Sequence, residues 1–266
     1  MYQFLIHINS IKHQHRKTWP WKRFYNFFPK NIANLENTTK PELVSLKNLI
    51  QGLNISDSSS NLSDLVVDFK NEISKSYPMF RGAQENDAIE LLVIILSMLD
   101  ENEMVKNPFN IIYNRVFKCE NKHKFLKKEE TNLILIPKGA GIQAHLKNVK
   151  KEEEFIGDNK LYCEECKENK DIILKTERIV CPKILILYIA NDENHQNNTK
   201  CVKKVTFGEN LYLMYAVICY DSTIPHFYAY ERIGKKSWCE YNDNYTSISD
   251  SFPEEKAYLL FYRLKD

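Results

Sequence analysis

Two groups of side chains in this sequence are spaced for chemistry. His226 stands where one run of aromatic and β-branched residues begins, and Asn242-Asp243 closes the next such run. If these runs pair as antiparallel strands, an imidazole meets an amide or a carboxylate. That is the base and orienter half of a Cys-His-Asn or Cys-His-Asp hydrolase. A histidine at a strand edge is, taken alone, more often structural. The second group is the Cys163-x-x-Cys166 pair, with Cys119 and His123 upstream. His13 and His15 could also ligate a metal, but no third ligand lies near them in sequence.

The elements that must position these groups are legible in outline. Residues 212–219, 227–232, 238–241 and 257–263 are rich in aromatic and β-branched types with polar turns between them, which predicts four antiparallel strands. Upstream, Leu43, Leu46, Leu49, Ile50 and Leu53 recur at three- and four-residue spacing, one apolar helix face ending near Gly52. Thr39-Lys40-Pro41-Glu42 has the Thr-x-x-Glu form of a capping box, with proline inside the first turn. A polar loop over 54–64 follows, then helical periodicity over 62–77. A further helix, from about Ala88 to Glu103 with Asn86 or Asp87 as cap, is apolar enough to be central. From Pro108 the character changes to short strands, interrupted by a Lys/Glu-rich segment at 147–154.

Composition narrows the classes. The 266 residues suffice for one large domain or a core with one subdomain, and 43% hydrophobic content is ordinary for a globular protein. A net charge of +2 does not argue for nucleic acid. Seven cysteines, an odd number in a chain too large to need disulfide staples, imply a reducing, intracellular compartment, cytoplasm or nucleus. No run approaches the roughly 18 apolar residues of a membrane span, so no membrane partner is expected. Residues 1–30 interleave aromatics with Lys12, Arg16, Lys17, Lys22, Arg23 and Lys30, with no acid before Glu36. This basic, aromatic extension reads as packing on the domain, as a transit peptide, or as an arm for RNA, protein or a membrane surface.

The C-terminal stretch resembles the ubiquitin-specific proteases. In that family a Tyr-x-Leu-x-Ala-Val strand precedes a Gly-His-Tyr-x-Ala-Tyr segment, a Trp-x-x-Phe-Asn-Asp segment and a closing Ala-Tyr-Leu-Leu-Phe-Tyr. All four are matched in order between Tyr212 and Tyr262. The family's Gln-Gln-Asp-Ala-x-Glu-Phe helix is matched through Asp87, Ala88 and Glu90. The resemblance covers roughly 31–264 and implies an α+β, papain-like cysteine-protease fold. It divides into a helical thumb (about 31–106), strand-rich fingers (within about 110–180) and an antiparallel-sheet palm (about 107–117 and 175–264).

The same resemblance implies the site. The family's Asn-Leu-Gly-Asn-Thr-Cys segment falls on Asn34-Leu35-Glu36-Asn37-Thr38-Thr39, so Thr39 stands at the nucleophile position and Asn34 at the oxyanion position. His226 would be the base, with Asn242 or Asp243 orienting it. An alcohol is many units less acidic than a thiol, and threonine nucleophiles usually rely on their own free α-amine, which an internal Thr39 lacks. Thr39 is therefore read as a helix cap, in a domain without its nucleophile. Glu36 and Pro225 also replace family glycines on either side of the tail channel. In the fingers, where the family usually binds structural zinc, the first knuckle reads Cys119-Glu-Asn-Lys-His123. No cofactor is required. Cys119, Cys163, Cys166 and, by a one-residue shift, His123 could hold structural zinc, or the site could have lost the metal.

The expected function is a catalytically inactive domain that binds ubiquitin or a ubiquitin-like protein, alone or within a larger complex. One alternative is an active deubiquitinase using Thr39 or a cysteine here assigned to the core. The other is a protein- or RNA-interaction module that no longer binds ubiquitin. Cys181, Cys201, Cys219 and Cys239 read as small apolar core residues.

Overall fold

The computed structural model describes residues 38–55, 60–82, 86–101, 107–190, 199–234, 237–242 and 245–265. The N-terminal extension, with His13 and His15, lies outside them, as do Asn34, Glu36 and Asp243. The described chain opens with three helices, α1 Pro41–Ile55, α2 Ser60–Ser76 and α3 Ala88–Asp100. The polar 54–64 stretch is thus largely helical at both its ends, and α3 stops at Asp100 rather than near Glu103. Each helix presents the face its spacing predicts. Leu43, Leu46, Leu49 and Ile50 of α1 meet Val66, Phe69 and Ile73 of α2, and α3 buries seven side chains.

Two sheets follow. Strands β1 (Ile111–Cys119), β2 (Lys124–Thr131), β4 (Glu153–Phe155) and β7 (Ile172–Val180) form one, in the order β2-β1-β7-β4. A small hairpin of β5 (Leu161–Cys163) and β6 (Glu168–Lys170) lies beside it in sequence. The larger sheet is built from β3 (Ile134–Ile136), β8 (Ile184–Ile189), β9 (Lys204–Phe207), β10 (Asn210–Asp221), β11 (His226–Arg232), β12 (Trp238–Asn242), β13 (Tyr245–Ser249) and β14 (Ala257–Leu264). Its order is β13-β12-β11-β10-β14-β8-β3, with β9 on the opening residues of β10.

The four C-terminal strands read from the sequence are present and antiparallel. Two features lay outside that reading. Strand β13, Tyr-Thr-Ser-Ile-Ser, carries no run of apolar residues, and β3 pairs parallel to β8. Helix α4 (Ile142–Asn148) likewise has no counterpart among the elements the sequence pattern predicts. Its Gln143 side chain donates to and accepts from the backbone of Thr206 at 2.9 and 2.8 Å, covering an edge of β9.

The central strands are buried on both faces. Along β8 and β14, Ile184, Ile186 and Leu259 join the core beneath the helices, whereas Leu185, Leu187, Leu260 and Tyr262 join the core on the other face. This explains continuous apolar runs where a half-exposed strand would alternate. Helices and sheet are also tied by a polar bond. Asp87 caps α3 through Ile89 N–H at 2.9 Å, and the Tyr258 hydroxyl donates to its two carboxylate oxygens at 2.8 and 2.7 Å.

The β9–β10 hairpin turns through Gly208 and Glu209, with Phe207 opposite Asn210. Gly208 has φ +62, and a Cβ there would lie 2.6 Å from Cys181 Sγ. Gly208→Ala is therefore expected to lower unfolding stability in urea by at least about 1–2 kcal/mol, the left-handed strain alone. Adding Cys181→Ala should recover the steric part and leave the strain.

Candidate functional site

Strand pairing brings His226 to the predicted orienter. Asp221 of β10 lies opposite His226, and on the other side β11 pairs with β12 through Ala229 and Tyr241. In that register Asn242 sits diagonally from His226, within side-chain reach. His226 Nε2 is 2.7 Å from Asn242 Oδ1. The amide nitrogen of Asn242 is 3.5 Å from Glu240 Oε1, and Glu240 Oε2 accepts from Ser247 Oγ at 2.9 Å. A carboxylate can only accept, so the amide nitrogen faces Glu240 and the amide oxygen faces the ring. Nε2 must then carry hydrogen, and in the neutral imidazole Nδ1 holds the lone pair. That arrangement can take a proton. Glu240 and Ser247, the outer part of this chain, carry no sequence signal of their own and emerge only from the β12–β13 pairing.

The turn leading into His226 is pinned by charge. Lys256 Nζ is 2.5 Å from Asp221 Oδ2, and the Thr223 hydroxyl and backbone N–H donate to Asp221 Oδ1 at 2.6 and 3.0 Å. The lysine first, then the threonine hydroxyl, hold the Asp221 carboxyl well below the usual carboxylate range. Pro225 is exposed in this turn.

Thr39 is exposed at the entry to α1. The helix begins one residue later than the capping box implies. Val44 N–H bonds the Lys40 carbonyl at 3.0 Å, which makes Lys40 the N-cap residue. The reason is Pro41. It fits the first helical position, but its ring biases the preceding residue away from helical angles, so Lys40 cannot open the helix and Thr39 cannot cap it. Glu42 is engaged elsewhere, by the Ser76 hydroxyl. Leu43 of α1 shares its core with Phe227, the neighbour of His226.

The remaining cysteines divide into two environments. Cys201, Cys219 and Cys239 are buried, as the core reading expected, and Cys181 is half-buried. Burial pushes the Cys201 thiol up to about 12, and raises Cys219 and Cys239 as well. Such thiols are poor nucleophiles. Cys119, His123, Cys163 and Cys166 converge instead, with one ligand atom from each within 4.8 Å of the others. His123 Nδ1 is 3.2 Å from Cys166 Sγ and 3.8 Å from Cys163 Sγ, and Cys119 and Cys166 sulfurs are 4.0 Å apart. Tetrahedral zinc, with bonds of about 2.3 Å to sulfur and 2.0 Å to nitrogen, spaces its ligands roughly 3.5–3.8 Å apart. The four donors fit that centre.

Local backbone explains the one-residue shift of the first ligand pair. Cys119 N–H bonds the His123 carbonyl at 3.0 Å and Lys122 N–H bonds the Cys119 carbonyl at 2.8 Å, a three-residue loop with Lys122 at φ 71. The chain reverses at Lys122, and the longer histidine reaches back from His123. In the second knuckle Lys167 takes the left-handed position, at φ 58, after Cys166. Cys163 is pushed down to about 6, chiefly by the Cys166 backbone N–H and then by His123. A thiolate is the form a metal needs.

The family model for ubiquitin carboxyl-terminal hydrolase matches residues 1–262. Curated relatives include the mouse ubiquitin carboxyl-terminal hydrolase 17-like protein E, 27% identical over 132 residues (42% of this chain, 24% of that protein). The mouse 17-like protein A is 25% identical over 147 residues (48% of this chain, 28% of that protein). The matched segments span about a quarter of the length of these relatives. Among solved structures, the SAGA DUB module of Ubp8, Sgf11, Sus1 and Sgf73 bound to monoubiquitin contains a similar chain. Its TM-score is 0.71 at 15% identity, over 100% of this chain and 67% of that one. The Ubp8/Sgf11/Sus1/Sgf73 DUB module bound to ubiquitin aldehyde gives 0.65 at 16%, over 100% and 66%. The chain belongs to the ubiquitin carboxyl-terminal hydrolase family, with the papain-like fold of its ubiquitin-specific protease type. Among the described residues, no helix is long and apolar enough to cross a membrane.

Asp221→Asn should lower stability at neutral pH by less than about 1 kcal/mol, because the ion pair is partly exposed. A depressed carboxyl contributes above its unfolded pKa of about 3.9 and loses that contribution as pH falls through its lower folded value. Urea melts of the two proteins should therefore differ at pH 7 and converge in acid.

Proposed function

We propose that this chain is a ubiquitin-binding pseudo-deubiquitinase, a domain that keeps the cleft-forming fold and the His226–Asn242 pair but lacks a competent nucleophile. The observation that carries this reading is Thr39 at the entry to α1, the position on which the sequence resemblance lays the family's cysteine. In an active family member the thiol attacks the carbonyl of the terminal glycine of ubiquitin, the histidine shuttles the proton and Asn242 or Asp243 would orient the ring. A threonine hydroxyl is not deprotonated by an imidazole at neutral pH to any useful extent. Asn34 would serve the oxyanion, but Glu36 beside it opposes the charge that develops there.

Ubiquitin as the ligand is supported by the fold and by apolar side chains exposed where the family holds the ubiquitin body. Leu126 and Phe125 of β2 are 78% and 39% exposed, and Tyr162 of β5 is 56% exposed. Structural neighbours are bound to monoubiquitin or ubiquitin aldehyde within a multi-subunit module, which supports a larger complex as the setting. Zinc bound by Cys119, His123, Cys163 and Cys166 would hold the β1–β2 and β5–β6 hairpins together.

A second reading, residual hydrolysis, is favoured by the intact proton-accepting pair. Two measurements separate these readings. Labelled ubiquitin should bind saturably, while a fluorogenic substrate at the ubiquitin C-terminus should be cleaved no faster than by the His226→Ala control. Cleavage above that control overturns the inactive reading, and absence of binding overturns the ubiquitin reading. For the fingers, purified protein is expected to carry close to one zinc. Cys163→Ser should release it and lower the melting temperature, whereas metal-free protein indifferent to chelator would end the zinc assignment.

A further inference from the structure

We propose that Asn121 is a positioning residue of the finger metal site, its amide clamping the Cys166 sulfur as a ligand and shielding it from competing chemistry. This rests on the reading of the four-donor cluster as a zinc site. Cys166 is the hub of that cluster, 3.2 Å from His123 Nδ1 and 4.0 Å from Cys119 Sγ. It is also the most exposed of the three thiols, half-buried where Cys119 and Cys163 are fully enclosed. A chelator or an electrophile entering from solvent therefore meets Cys166 first. Asn121 Nδ2 donates to this sulfur at 3.3 Å.

The backbone makes that contact part of the site. Asn121 is the middle residue of the loop closed by the Cys119–His123 and Lys122–Cys119 bonds, and Glu120 N–H ties the same loop to the Asp171 carbonyl at 3.0 Å. The bonds that place two of the ligands thus also present the amide to a third. Three thiolates and a neutral imidazole on a divalent zinc leave one excess negative charge. An N–H aimed at the most accessible thiolate offsets part of it, lowers the sulfur's basicity and fixes its orientation, as outer partners of metal ligands do.

The test uses the full chain loaded with zinc, then with cobalt as a spectroscopic substitute. Competition with a chromogenic chelator should show Asn121→Ala holding zinc about 10-fold more weakly, the lower end of the effect of losing such a partner. Its zinc should also leave faster. In the cobalt form, loss of the N–H should move the sulfur-to-cobalt charge-transfer band to lower energy, and Asn121→Gln, which keeps a donor amide, should restore part of both changes. Unchanged affinity within twofold in Asn121→Ala overturns the inference while leaving the metal site standing. A weaker site whose cobalt band does not move also overturns it, since Asn121 would then only shape the loop. If the unsubstituted protein binds neither zinc nor cobalt, the metal reading falls and the inference falls with it.

Discussion

Buried tyrosine hydroxyls hold the register on which the rest of the molecule depends. Strands β8, β10 and β14 are apolar on both faces, so a one-residue slip would not expose a hydrophobic face and polarity alone cannot set their alignment. Direction-specific bonds can. Tyr212 donates to the Pro182 carbonyl at 2.6 Å, Tyr262 to the Val202 carbonyl at 2.8 Å, and Tyr258 to Asp87. A slip would leave these hydroxyls unpaired in the core, at roughly 1–3 kcal/mol each. The same alignment carries outward through Asp221 and His226 to Asn242.

Much of this was legible in the sequence, and the failures have physical causes. Aromatic and β-branched runs marked the four C-terminal strands because those strands are buried and side-chain packing chose their residues. Strand β13 was not legible, since its edge position leaves Tyr245 and Ile248 largely exposed and its other residues small and polar. Helix α4 is short and has no N-cap side chain bond, so neither length nor capping announced it. The His226–Asn242 pair could be inferred from strand order, whereas Glu240 and Ser247 could not, because their part depends on a strand that left no pattern. At Thr39 the Thr-x-x-Glu pattern was outweighed by the conformational restriction that Pro41 places on Lys40.

The fingers show how a ligand set tolerates substitution. Lys122 stands where a donor is expected, yet the left-handed turn at that residue lets the longer His123 side chain reach the three cysteines from the next position. The cost is a non-glycine residue at positive φ in each knuckle. The β5–β6 hairpin that carries Cys163 and Cys166 is small, with three residues in each strand. Among the described residues, Cys119, Cys163, Phe117, Ile172 and Leu174 make up the buried apolar cluster beside the four donors, and the Glu120 N–H to Asp171 carbonyl bond links the first knuckle to the start of β7.

Strand order has a kinetic consequence. β14 lies between β10 and β8, yet it is the last strand of the sheet in chain order. Until it has been synthesised, β8 and β10 each present an open, strongly apolar edge, and Asp87 waits for a tyrosine 171 residues further along. Such long-range closure is slow, and unpaired edges of this kind invite pairing with other chains. A chain whose sheet is assembled in sequence order leaves no such pair of apolar edges waiting, so the placement of β14 makes the partly folded state of this sheet more open to self-association than its strand count alone would suggest.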